Sequence, residues 1–279
     1  MHTERIDGKN VARRITEDAI RERNRLGITP SLAVVLVGDD PASHLYVRLK
    51  ERACREAGID FEKFLFRADA PEETVLRTIA QLNARVDIDA ILVQLPLPAT
   101  LRTDRVIEAI DPAKDVDGFH PQNVAALLAG TPRIVPGLAA GIMTLIRSTG
   151  VSLETKSALI VANSVAFFQP VEAVLRQAGC VSSFAKPDDS ELATKSRAAD
   201  ILIVAIGRAG FIKGSMLRQG AIVIDVGTNR TENRIVGDVD AASTEGVAGY
   251  LTPVPGGVGP VTVAMLLSNI VALCKQRHQ

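Results

Sequence analysis

Short runs of β-branched and other apolar residues alternate with longer stretches in which apolar positions recur every three or four residues. The first pattern suits strands buried on both faces, and the second suits amphipathic crossover helices. In the first half the runs predict strands at 32–37, 61–66 and 90–93, separated by helices at 11–26, 41–57 and 72–84. Asp40 before Pro41 makes an N-cap followed by a first helical position. A stretch rich in Asp, Gly and Pro, 111–121, then interrupts the alternation, followed by helical stretches at 122–129 and 137–148. The pattern restarts with strands at 158–161, 201–205 and 221–225 and helices at 170–178 and 191–197. A last helix is predicted over 260–275. The fold class is therefore α/β, with parallel strands and crossover helices in two domains.

The chain's 279 residues, 47% of them hydrophobic, suffice for two cores. Thirty-two basic residues balance thirty-two acidic ones. With no basic block, a nucleic-acid partner is not expected, and a small-molecule ligand is. Cys54, Cys180 and Cys274 lie far apart without a C-x-x-C pair, which argues against disulfides and zinc and for a reduced, cytoplasmic setting. The charged N-terminal string and the short apolar stretch from Val261 to Cys274 give no expectation of secretion or membrane insertion.

Four strings carry candidate chemistry. Tyr46 and Lys50 stand four apart in a predicted helix, so they share a face. That arrangement fits a proton-transfer pair and equally an ordinary surface contact. Gln94 ends the apolar run I-L-V-Q, where parallel strands open toward a crevice, or it simply begins a proline-restricted loop. In K-D-V-D-G-F-H, Asp115 and Asp117 lie two apart and suit the N–H groups of a heterocycle or a cationic centre. Asp-Gly is also a common turn. The most specific string is T-P-V-P-G-G-V-G-P, Thr252 to Pro260, which joins rigid prolines to glycines that permit close backbone approach.

With I-D-G-K from Ile6, L-A-V-V-L-V-G from Leu32, G-A-I-V-I-D-V-G-T-N-R from Gly220 and V-G-D-V from Val236, these strings resemble the bifunctional methylenetetrahydrofolate dehydrogenase/cyclohydrolases over nearly the whole chain. The resemblance implies a catalytic folate domain at 1–121, with helix 260–279 packing back on it, and a Rossmann-like nucleotide domain at 122–259. A tetrahydrofolate derivative would bind in a cleft between them, and the chain would form a homodimer. Tyr46 would stack on the pterin, Lys50 would be the catalytic acid/base, Gln94 would hydrogen-bond it, and Asp117 would bind the pterin. Leu95 and the segment Pro255, Gly256, Gly257 and Val258 would complete the folate pocket. Cofactor contacts would fall at Ala162, Asn163 and Ser164, at Lys186 and Gly207, and at Thr228 and Thr262.

On the cofactor side the chain departs from the family. Ala162 and Phe168 replace two glycines of the first turn in I-V-A-N-S-V-A-F-F-Q-P, so a phenyl ring is expected in the cofactor's space. The family's P-C-T-P-x-G reads P-G-L-A-A-G from Pro136. Asp188 and Asp189 beside Lys186 would repel an NADP 2′-phosphate. The resulting expectation is a 5,10-methenyltetrahydrofolate cyclohydrolase that needs no cofactor for hydrolysis, with NADP- or NAD-dependent hydride transfer weakened or lost. The alternatives are a fully bifunctional NAD(P)-dependent enzyme and a folate-binding protein without turnover. A short-chain dehydrogenase is disfavoured, because G-D-D-P-A-S after Val37 is not a glycine-rich cofactor turn.

Overall fold

The computed structural model describes residues 2–231 and 234–278. β1 (Glu4–Arg5) and α1 (Gly8–Leu26) lead into β2 (Ser31–Val37), α2 (Pro41–Glu56), β3 (Asp60–Phe66), α3 (Glu72–Ala84) and β4 (Ala90–Val93). Helices α4 (Thr103–Glu108), α5 (Pro121–Leu128) and α6 (Gly137–Arg147) carry the chain to β5 (Ser157–Ala162), α7 (Val165–Gln177) and β6 (Val181–Ala185). Next come α8 (Leu192–Ala198), β7 (Ile201–Ala205), β8 (Ile222–Asp225) and a hairpin of β9 (Asn229–Arg230) and β10 (Ile235–Val236). α9 (Ala241–Thr244), β11 (Tyr250–Leu251) and α10 (Val258–His278) complete it. The chain divides into two compact units, Arg14–Gly137 with Val263–Gln279, and Met1–Arg13 with Leu138–Thr262.

In the first of these units the strand order is β3-β2-β4, all parallel. Every residue of β2 is buried, and the two-residue period of a strand sends them to opposite faces. Leu32, Val34 and Leu36 meet Val47, Cys54, Ile270 and Val271 in one core. Ala33, Val35 and Val37 meet Val75, Ile79 and Leu82 in the other. Each buried Val, Leu or Ile among them contributes about 1.5–3 kcal/mol by leaving water, which explains the unbroken apolar run. The Asp40 carboxylate accepts from Ser43 N at 2.8 Å and Ser43 Oγ at 2.7 Å, with Pro41 opening the helix, so α2 starts where the cap requires.

The other unit is built on a six-stranded parallel sheet, β1-β11-β8-β7-β5-β6. Its division differs from the expected boundary at 121/122. Residues 122–137 stay with the first unit because Asn123 donates to Pro112 O at 2.9 Å, Ile134 enters the core with Leu266, and Asn269 donates to Val135 O at 3.0 Å. The N-terminal segment joins the large sheet because β1 pairs with β11, two strands too short to leave a periodic signal. α7 begins at Val165 with Pro170 inside it, five residues before the expected start. α10 spans 21 residues, long and apolar enough by length and composition to cross a membrane, contrary to the estimate from Val261–Cys274. Leu266, Leu267, Ile270, Val271 and Leu273 are buried in the first unit's core, which accounts for that composition.

Candidate active site

Helix α2 presents Tyr46, 43% exposed, and the half-buried Lys50 one turn apart. Lys50 Nζ donates to Gln94 Oε1 at 2.9 Å. Gln94 follows the last residue of β4, is buried, and is fixed by two further bonds. Its backbone N–H donates to Val35 O at 2.9 Å, and its Nε2 donates to Leu95 O at 2.7 Å. The amide's orientation is therefore settled, with oxygen facing the lysine. Burial lowers the Lys50 pKa, against the opposing pull of Asp117. Burial likewise pushes Asp117 up to about 6, with Lys50 holding it down and Asp115 adding to the rise. An amine eased toward its neutral form beside a carboxyl titrating near neutrality is equipped to move protons.

The two aspartates of K-D-V-D-G-F-H have different tasks. Asp115 is buried and organises the loop, with Oδ1 accepting from Gly118 N at 3.1 Å and Oδ2 from His120 N at 2.8 Å and Asn123 Nδ2 at 3.0 Å. Gly118 makes the turn at φ +71°, and the segment runs beside β4 through a bridge between Ile91 and Asp115. Asn269 of α10 donates to Val116 O at 3.2 Å. Among the described residues no hydrogen bond engages the Asp117 carboxylate, which leaves it for a ligand. Asn123 and Asn269 were not anticipated; a buried amide on an otherwise apolar helix was the available signal at Asn269.

Pro255, Gly256, Gly257 and Val258 lie in the other unit. A Cβ on Gly257 would press on Pro253 O and Thr252 Cβ, and a Cβ on Gly8 would overlap the carbonyl oxygens of Gly256 and Gly257. The glycines of I-D-G-K and P-G-G-V are therefore needed for one backbone-on-backbone packing. Thr252 ties this segment to the sheet, its Oγ1 accepting from Asp225 N at 2.7 Å.

At the nucleotide side, Ala162 is buried at the end of β5, Asn163 Nδ2 donates to Ile206 O at 3.0 Å, and exposed Ser164 is the N-cap of α7 without a side-chain capping bond. The ring of Phe168 packs on Phe184 of β6, centroids 5.5 Å apart and planes tilted by 52°, so it contributes to the helix–sheet contact. Asp189 is corrected. It accepts from Lys195 Nζ at 2.7 Å and Glu191 N at 2.8 Å, which together hold its carboxyl below the usual range, so its charge is already paired. Lys186 and Asp188 are exposed after β6. Gly207 has φ +69° with open space where a Cβ would project, Thr228 is exposed, and Thr262 Oγ1 donates to Gly259 O at 2.8 Å.

Sequence reasoning missed two buried carboxylates here. Asp225 accepts from Gly227 N, Asp238 N and Val239 N at 2.9–3.0 Å. Burial pushes it up to about 6 in spite of these bonds. Asp238 accepts from three consecutive N–H groups after β7. The strings V-I-D-V-G and V-G-D-V carried that signal. A Cβ on Gly227 or Gly237 would collide with one of these carboxylates.

Three metal-ligand types, Asp89, Cys274 and His278, also gather with their ligand atoms within 4.8 Å of one another. Arg277 Nη1 already lies 3.2 Å from Asp89 Oδ1, so a cation is present there.

Fold and site define an α/β enzyme of two units, one carrying a lysine–glutamine–aspartate centre and the other a nucleotide-type parallel sheet. The match to known families makes this specific. Residues 6–117 match the tetrahydrofolate dehydrogenase/cyclohydrolase catalytic domain, and residues 136–278 match the NAD(P)-binding domain of the same family. The chain belongs to that family. It is 46% identical to the "Bifunctional protein FolD" of Oleidesulfovibrio alaskensis over 280 residues, 98% of each chain. The bifunctional FolD methylenetetrahydrofolate dehydrogenase/cyclohydrolase of Campylobacter jejuni superposes with TM-score 0.94 at 39% identity, covering 99% of each chain. The Trypanosoma brucei enzyme, solved with NADP cofactor and inhibitor, superposes with TM-score 0.94 at 32% identity, covering 100% of this chain and 99% of that one.

Proposed function

We propose that the chain is a bifunctional enzyme that oxidises 5,10-methylenetetrahydrofolate with NAD(P)⁺ and hydrolyses the resulting 5,10-methenyltetrahydrofolate to 10-formyltetrahydrofolate. The observation that carries the hydrolytic half is the 2.9 Å bond from Lys50 to a Gln94 whose amide is itself held in place. Tyr46 offers an exposed ring for the pterin, and Asp117 an unengaged carboxyl for its N–H groups. The methenyl carbon belongs to a cationic amidinium. Water adds to it and loses one proton to the neutral Lys50 amine, leaving a carbinol; Lys50 returns that proton to N5 as the C–N5 bond breaks, and the carbinol hydroxyl gives its remaining proton to solvent as it becomes the formyl C=O. The balance is one water consumed and one proton released. Gln94 accepts from the ammonium and keeps Nζ on station through both steps.

The oxidative half rests on the NAD(P)-binding domain match and on full-length relatives named as bifunctional, which support it over the narrower reading of a hydrolase with failing hydride transfer. Residues of the second unit suit a dinucleotide. Ala162 is small, Gly207 presents an open face, and the Phe168 ring is engaged with Phe184. When bound, NAD(P)⁺ supplies the acceptor for the hydride leaving the methylene carbon. A homodimer in the cytoplasm accords with family membership.

The test follows methenyl formation and nicotinamide reduction with 5,10-methylenetetrahydrofolate and either nucleotide, alongside hydrolysis of methenyltetrahydrofolate. Both activities are expected. Hydrolysis without reduction of either nucleotide would establish the narrower reading, and reduction without hydrolysis would refute the role given to Lys50.

A further inference from the structure

The loop after β7 is moulded around a carboxylate that the reaction does not touch. Asp238 is fully buried. Its Oδ2 accepts from Ile206 N at 2.7 Å and Gly207 N at 3.1 Å, and its Oδ1 from Arg208 N at 2.8 Å and Asn229 Nδ2 at 2.8 Å. Three successive backbone N–H groups curling about one anion form a nest, a geometry that elsewhere receives a ligand's phosphate. Here the protein's own side chain fills it. The donors of Ile206, Gly207 and Arg208 therefore point inward and are spent, while Gly207, held at φ +69°, turns a bare and exposed face outward.

The same loop is gripped from its other side. Asn163, in the turn after β5, donates to Ile206 O, so one residue, Ile206, links the β5 turn through its carbonyl and Asp238 through its N–H. Asp225 in turn fixes the backbone of Asp238 by accepting from Asp238 N at 3.0 Å and Val239 N at 2.9 Å. Four donors converge on a carboxylate that no solvent reaches, and replacing either oxygen by an amide NH2 leaves at least one of them facing another donor.

We infer that Asp238 is a positioning residue for the nucleotide, acting through the Ile206–Arg208 loop, and that NAD(P)⁺ meets Gly207 by its open Cα face, not by its N–H. The inference rests on the oxidative half of the proposed function. It assigns no part to Asp238 in hydrolysis, whose groups lie in the other unit.

The experiment compares wild type with Asp238→Asn and the milder Asn229→Ala. It measures KM for NAD⁺ and NADP⁺, dehydrogenase kcat, nucleotide Kd and cyclohydrolase rate on each protein. Asp238→Asn is expected to raise nucleotide KM and Kd by about tenfold or more, the size of one buried donor left unmatched. Asn229→Ala should move them in the same direction by less, and cyclohydrolase rate should stay within about twofold. Unchanged KM and Kd in both variants, or equal loss of both activities in Asn229→Ala, would overturn the inference. Wild type that binds nucleotide without reducing it would sink the dehydrogenase reading alone, and the Kd comparison would still decide the role of Asp238.

Discussion

Lys50 and Gln94 meet across the catalytic unit, the amine donating at 2.9 Å to an amide oxygen whose own nitrogen is anchored on the neighbouring Leu95 carbonyl. With Lys50 part-buried and carrying the proton in the proposed mechanism, Lys50→Met should lower cyclohydrolase kcat by ~10²-fold or more while the fold survives. Stopped-flow loss of methenyl absorbance, with a thermal melt on the same sample, checks both halves. Undiminished turnover would remove Lys50 from the mechanism.

The raised pKa of Asp117 has two consequences of calculable sign. In its proposed role as pterin anchor it is needed ionised, so cyclohydrolase kcat/KM should rise with pH through about 6, and Asp117→Asn should lose that limb along with affinity. For stability, the folded carboxyl holds its proton up to about 6 where the unfolded one releases it near 3.8. The unfolded state thus binds fewer protons in that window, and stability falls as pH rises through it. Above pH 7, Asp117→Asn should melt higher than wild type, and a lower melting temperature there would contradict the desolvated carboxyl.

Asp115 should behave differently from Asp117 although they lie two residues apart. Asp115→Ala strands the N–H groups of Gly118 and His120 and the Asn123 amide. A cost of about 2–4 kcal/mol in denaturant unfolding is expected from buried donors left unpaired, with a higher KM for folate because the loop also carries Asp117. A stability loss below about 0.5 kcal/mol would show that the loop holds itself without this carboxylate.

The legibility of this chain followed the range of its interactions. β2, β4 and α3 could be read to within a residue because their apolar periods report burial on known faces. β1 and β11 could not, since strands of two residues are too short for an apolar period and are defined by pairing alone, β1 with β11 across more than 240 positions and β11 also with β8. Pro170 misplaced the start of α7, because proline favours a first turn but is not confined to it. Gln94 stood out as a polar exception ending an apolar run, Tyr46 and Lys50 through their four-residue spacing, and Asp115 and Asp117 through the string K-D-V-D-G-F-H. Asp238 did not, because Asp beside Gly reads as a turn until the N–H groups that surround it are seen, and Asp225 did not, because it reads as the polar end of an apolar strand.

Phe168 tests how a lost glycine should be interpreted. If its ring occupied the nucleotide's space, Phe168→Gly would improve hydride transfer. Instead it packs on Phe184 within α7, so the substitution should cost about 2–4 kcal/mol through lost aromatic packing and glycine's helix penalty. Nucleotide KM should fall by no more than about twofold. A marked gain in dehydrogenase rate with little loss of stability would restore the obstructing role.

Cofactor choice should turn on the two opposite charges exposed at the end of β6. In doubly wound sheets the residue after the second strand of a βαβ unit faces the adenosine ribose. In the β5–α7–β6 unit that place is Lys186, with Asp188 two residues on, while Asp189 is paired with Lys195. A 2′-phosphate would gain from Lys186 and be repelled by Asp188. Lys186→Ala should therefore raise KM for NADP⁺ by about tenfold and leave NAD⁺ nearly unchanged, and Asp188→Asn should shift the NADP⁺/NAD⁺ preference the opposite way. Both side chains are exposed, so both effects should shrink as salt is raised from 0.01 to about 0.5 M, where screening shortens to a few ångströms. If neither variant moves the ratio at low salt, the ribose does not lie at the end of β6, and the nucleotide must be sought along the β7 and β8 termini.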